Sequence, residues 1–255
     1  MRRLSVLCAL MLIGLALQAQ TTLWQYNSPS PITQEPLIHS NGTVYFATAD
    51  GKLRALNSSG VASWVVNPGG AVVTPLTYQN GMIIFGNSAQ EIRAYGLDGH
   101  MVWKRSLGLN ASTSIAVSGD GYLYVATGDG YMHALNAANG VEVWKYKAGN
   151  ILGHPSVGHD GTVYFAADNW VIAFDSYQQK AKWRHNFFDY SHVPIALDHS
   201  DNLYYVREGG YFDIYDYKGT FLGELVDQSG APYLVESMEP ILYGDWLVVV
   251  AQGGG

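Results

Sequence analysis

The chain has 255 residues, of which 48% are hydrophobic, 13% aromatic and 14% charged, well below the roughly 25% charged content of an average soluble domain. That balance excludes a disordered chain or a coiled coil, and 29 glycines with 18 tyrosines favour short strands joined by tight turns. A net charge of −7 excludes nucleic acid and anionic membranes as partners, because neutralising phosphates takes a basic surface.

Residues 1–19 read as a secretory signal peptide. Arg2 and Arg3 form a positive n-region, residues 4–17 an apolar h-region, and Ala19 ends a cleavage site. The apolar run is too short for a membrane span, so the expected product is exported, periplasmic or extracellular, with no integral span. Cys8 lies inside the apolar run, too early to be a lipidated residue, so no lipoprotein is expected. Removing Arg2 and Arg3 takes the net charge from −7 to −9. It also removes the single cysteine, which excludes disulfides, thiolate metal ligands and a cysteine nucleophile.

Residues 20–255 are organised by a repeat. Trp24, Trp64, Trp103, Trp144 and Trp183 recur every 40 residues or so, a period that belongs to propellers or helical arrays. A second column, Pro36, Pro75, Ser114, Pro155, Pro194 and Pro240, marks where each repeat starts. It is followed by Asn41-Gly42, Asn80-Gly81, Asp120-Gly121, Asp160-Gly161 and the weaker Asp201-Asn202. These dipeptides read as two-residue hairpin turns.

Apolar runs follow the turns: Val44-Tyr45-Phe46, Ile83-Ile84-Phe85, Leu123-Tyr124-Val125, Val163-Tyr164-Phe165, Leu203-Tyr204-Tyr205 and Leu247-Val248-Val249. They lack polar alternation and therefore describe strands buried on both faces, as in propeller blades packed between neighbours. A third strand follows a second turn, with Ala55, Ala94, Ala134 and Ala173 at matching places in it, and the fourth carries the tryptophan. The expected fold is all-β, a propeller of four-stranded antiparallel blades with five full repeats and a partial sixth. Residues 23–26 resemble a fourth strand able to complete the last blade. The sixth repeat starts near Pro240 and reaches only its second strand by Gly255. A C-terminally incomplete propeller is therefore expected, with self-association through its open edge.

The stretch from Asp120 to Trp144, DGYLYVATGDGYMHALNAANGVEVW, resembles the PQQ-like, tryptophan-docking repeat of quinoprotein-type β-propellers, a family that includes BamB-like proteins. The resemblance implies that Trp24, Trp64, Trp103, Trp144 and Trp183 are structural blade-docking residues. The fifth repeat departs from the pattern, with Gly223 where tryptophan belongs.

The resemblance also sets the functional expectation: a non-catalytic scaffold for protein–protein interaction in the bacterial cell envelope, with outer-membrane protein assembly as its specific version. The alternatives are a divergent or partial PQQ-dependent dehydrogenase and an extracytoplasmic ligand-sensing module. Partners are expected among other envelope or secreted proteins, with no cofactor and no catalytic or metal-binding residue assigned. Glu35, His154 and Glu239, each just before the proline column, form a speculative channel rim for a ligand or cation. Residues His39, His159 and His199 fall near turns and are read as turn architecture. Phe187, Phe188 and Tyr190 form a speculative interface, since aromatic groups with polar rims are frequent at interfaces.

Overall fold

The computed structural model describes residues 22–186, 195–206, 212–224, 241–243 and 246–248. Blade 1 contains β1 (Leu37–Ile38), β2 (Val44–Thr48), β3 (Lys52–Leu56) and β4 (Ala62–Val66). Blade 2 contains β5 (Thr77–Gln79), β6 (Met82–Gly86), β7 (Glu91–Gly96) and β8 (Met101–Ser106). Blade 3 has β9 (Ala116–Val117), β10 (Tyr122–Ala126), β11 (Tyr131–Asn136) and β12 (Glu142–Lys147). Blade 4 has β13 (Ile151–Val157), β14 (Thr162–Ala167), β15 (Trp170–Asp175) and β16 (Lys180–Asn186). Blade 5 has β17 (Ala196–Leu197), β18 (Leu203–Val206), β19 (Phe212–Tyr215) and β20 (Phe221–Glu224). A two-stranded ladder of β21 (Ile241–Tyr243) and β22 (Trp246–Val248) follows. Every sheet is antiparallel and in sequence order, and the first strands of blades 2 to 5 and β21 lie against one another in succession. The fold is all-β and built of propeller blades.

The apolar runs carry no polar alternation because each blade has two dry faces. Ile83 and Phe85 pack toward blade 1 with Tyr45 and Leu53, whereas Met82 and Ile84 pack toward blade 3 with Leu123 and Val125. The core is thus a series of layers between blades, with a third joining blades 3 and 4 through Trp144, Phe165 and Phe174. A fourth joins blades 4 and 5 through Tyr164 and Leu203.

Each fourth-strand tryptophan pairs with the alanine of its neighbouring third strand: Trp64 with Ala55, Trp103 with Ala94, Trp144 with Ala134 and Trp183 with Ala173. Cross-strand partners share a face, so a fully buried alanine leaves room for the indole. In blade 5 the pair is Ile214 with Gly223. The large and small positions have exchanged strands there, which keeps the pair filled without a tryptophan.

The turns differ from the expected two-residue form. Only Asn80-Gly81 has positive φ at both positions, with Gln79 paired to Met82. In blades 1, 3 and 4 the glycine alone has positive φ, and its N–H donates to the carbonyl three residues back, as from Gly42 to His39. This is a three-residue loop closed by a glycine bulge. The fifth turn is shifted by one residue, since Asp201, with φ of 58°, donates to Asp198 and fills the glycine position. Residues 22–28 form no strand. No helix among the described residues is long and apolar enough to cross a membrane.

Candidate interaction face

In an up-and-down blade the first-to-second and third-to-fourth strand turns emerge on the same side of the ring. This face is tied together by tryptophan docking. Trp64 Nε1 donates to Leu97 O at 2.8 Å, Trp103 Nε1 to Ala137 O at 2.9 Å, and Trp183 Nε1 to Tyr217 O at 3.0 Å. Each acceptor lies in the third-to-fourth strand turn of the next blade.

The rings cover a glycine of the same turn. A Cβ on Gly99 would meet the Trp64 ring at 2.8 Å and one on Gly219 the Trp183 ring at 2.9 Å, with Gly140 still closer to Trp103. Trp24 covers Gly60 of blade 1 in the same way, 2.6 Å from such a Cβ. Trp144 differs. The equivalent position in blade 4 is Gln179, held at a φ of 54°, and Trp144 packs instead against Phe174 with ring centroids 4.9 Å apart.

A second set of contacts ties the first turn of one blade to the blade beside it. His39 meets Tyr78 edge-on, with centroids 5.0 Å apart. Gln79 Nε2 donates to Ser118 O at 3.4 Å, the Tyr177 hydroxyl donates to Asp120, and His159 pairs with Asp201 through both its backbone N–H and Nδ1. Burial opposes ionisation of Asp120, yet bonds from Ser118 and Tyr177 outweigh it and hold its carboxyl below the ordinary range. Conversely, the bond to Asp120 pushes the Tyr177 hydroxyl up to about 12. Asp160 is also partly buried, but Lys182 and Thr162 bring its carboxyl down to about 2. The face therefore presents fixed, ionised turn residues.

The three members of the expected channel rim part company. Glu35 is exposed and Glu239 lies outside the described residues. His154 is half-buried, and its Nδ1 accepts the N–H of Ser114 from blade 3 at 3.0 Å. Ser114 stands in the proline column, and proline would have no N–H to donate. Thr74 and Thr113, the equivalents of His154 in blades 2 and 3, are buried and accept the N–H groups of Gly86 and Ala126. In blades 2 to 4 this column thus makes structural hydrogen bonds, within a blade at Thr74 and Thr113 and between blades at His154. Among the described residues no group of three or more His, Cys, Asp or Glu is placed to hold a metal ion. Phe187, Phe188 and Tyr190 lie outside the described residues, as does the signal segment 1–19.

A column of buried polar residues escaped the sequence reading. Arg54, Arg93, His133 and Asp213 occupy the position before the paired alanine, or before Ile214, in the third strands of blades 1, 2, 3 and 5. All except Arg93 are at most 5% exposed. Arg54 reaches Asp50 at 2.6 Å and Arg93 reaches Glu91 at 2.5 Å. His133 lies 3.0 Å from Thr127 Oγ1 and 3.1 Å from Glu142. The detectable signal was one polar residue at a constant place in an otherwise apolar strand.

A family model described as outer membrane protein assembly factor BamB matches residues 13–106 and 88–207. The crystal structure of BamB from Moraxella catarrhalis is similar, with a TM-score of 0.67 and 22% identity, over 80% of this chain and 67% of that chain. No curated protein matches the sequence. With three quarters of its length matched by the family model and its blades laid out as in a solved member, the chain belongs to the BamB-type family of PQQ-like β-propeller repeats.

Proposed function

We propose that this protein is an exported, non-catalytic scaffold of the bacterial cell envelope that docks other envelope proteins on its turn-bearing face. Its specific version is assistance in outer-membrane protein assembly, as named for the matching family. One observation carries the reading. The turns of this face are locked to one another by Gln79–Ser118, Tyr177–Asp120 and His159–Asp201 contacts across successive blades. Groups held on rigid supports bind without a large ordering cost, and loops on a rigid scaffold commonly carry recognition.

The test places a photo-cross-linkable residue at Ser40, Gly119 or Ser200 in the native host and measures outer-membrane protein levels after deletion of the gene. Cross-links to envelope proteins from the turn face, with lowered levels of folded outer-membrane proteins, support the proposal. Unchanged levels with no cross-links overturn it.

A further inference from the structure

The residue after the docking tryptophan is Lys104 in blade 2, Lys145 in blade 3 and Arg184 in blade 4, but Val65 in blade 1. The same outer strands also hold Arg105 in β8, Lys147 in β12 and Lys180 and Lys182 in β16, with Glu142 their single carboxylate. A chain with a net charge of −7 thus gathers half of its 14 Lys and Arg residues on the rim of three consecutive blades. Each of these strands is a terminal strand of its sheet, with one row of backbone groups unpaired by its own blade.

The charges are not equally available. Lys104 is 3.0 Å from Glu91, Arg105 faces Glu142 at 3.9 Å, and Lys182 is 2.7 Å from Asp160. In blade 3, Lys145 and Lys147 instead lie over the Tyr131 ring, 5.0 and 4.8 Å from its centroid. In blade 4 Arg184 lies over Trp170 at 4.8 Å. An aromatic face holds a cation in place without cancelling its charge, as a carboxylate does. The arms are therefore ordered in advance while the positive potential survives. On β12, Lys145 and Lys147 alternate along the strand and share one face, and a bulge at Val143, where the ladder to β11 shifts register, ends the alternation.

We infer that the free edges of β12 and β16 bind an acidic, extended segment of a partner protein by strand addition. The segment's backbone pairs with the open edge, and its Asp or Glu side chains lie opposite Lys145, Lys147 and Arg184. The inference rests on the scaffold reading and adds the chemistry of the partner. Charge complementarity selects an acidic occupant. The open strand edge selects an extended one, because another strand satisfies its unpaired backbone groups, whereas a rim that turns from blade to blade offers a flat bilayer little simultaneous contact.

The experiment uses the full mature chain and a fluorescent peptide of alternating Val and Glu, with a Val–Lys peptide and phosphatidylglycerol vesicles as comparisons. The acidic peptide is expected to bind, more weakly as salt rises. Affinity should fall at least about tenfold in Lys145→Glu/Lys147→Glu/Arg184→Glu and stay unchanged in Lys218→Glu on blade 5. A milder Lys145→Gln/Arg184→Gln variant with an unchanged melting temperature should show the same direction. N-methylation of alternate peptide bonds, which blocks edge pairing, should abolish binding. Absence of acidic-peptide binding, equal binding of the N-methylated peptide, an equal loss in Lys218→Glu, or vesicle binding through the same three cations without peptide binding overturns the inference. Turn-face cross-links that persist alongside such a failure leave the scaffold proposal standing, and loss of both removes both.

Discussion

The backbone N–H of Ser114 donates to Nδ1 of His154, 3.0 Å away in the next blade. The bond exists because Ser114 breaks the column otherwise occupied by proline. It also engages the lone pair that Nδ1 would give to a cation, so the ring acts here as a clasp between blades.

Restoring the column with Ser114→Pro should therefore destabilise the protein. The lost hydrogen bond costs about 1 kcal/mol, more than the roughly 0.5 kcal/mol gained by stiffening the unfolded chain. Urea unfolding of the variant against the parent checks this, and a higher midpoint would show that the clasp contributes nothing.

Gly140→Ala should cost about 2–4 kcal/mol, since it combines a left-handed backbone with a clash into the Trp103 ring. Gly51→Ala has a similar φ of 73° but nothing within 4 Å of its new Cβ, so it reports the backbone cost alone, about 1 kcal/mol. The difference between the two midpoints measures the docking contact.

Trp103→Phe and Trp144→Phe separate hydrogen bonding from packing. Both remove part of a buried indole, but only Trp103 gives up a bond to the next blade, at Ala137 O. Chemical denaturation should show Trp103→Phe the more damaging by about 1 kcal/mol.

The pH dependence has a definite sign. The Asp160 carboxyl sits at about 2 in the folded protein against about 3.9 unfolded, so its contribution is present above about pH 4 and disappears as pH falls toward 2. Asp160→Asn should lower the melting temperature near neutrality and converge with the parent in acid. The gap will be small, because Asp160 is 49% exposed and solvent screens the pair.

The repeat, the four-stranded blades and the tryptophan positions were legible in the linear sequence because each blade must solve the same local problem. It needs a turn residue, a dry strand, a small residue under the indole and an indole reaching the next blade. Periodicity of this kind survives without knowledge of neighbours. Turn geometry was less legible, since Asn-Gly suits both a two-residue turn and a glycine bulge, and the register of the flanking strands selects between them. Asp201 filling a glycine position shows the same limit.

Side-chain contacts between blades and across strands lay beyond the sequence. That Ser114 meets His154, that Tyr177 reaches Asp120, and that Lys145 rests on Tyr131 while Lys104 meets Glu91 depends on how blades stack and strands pair. The chain alone determined that its apolar residues must be buried in repeated sheets, because hydrophobic pattern and turn chemistry are local. Only the tertiary structure decided which polar groups close the blades and which cations keep their charge at the rim, because hydrogen bonds and ion pairs depend on distances that packing alone sets.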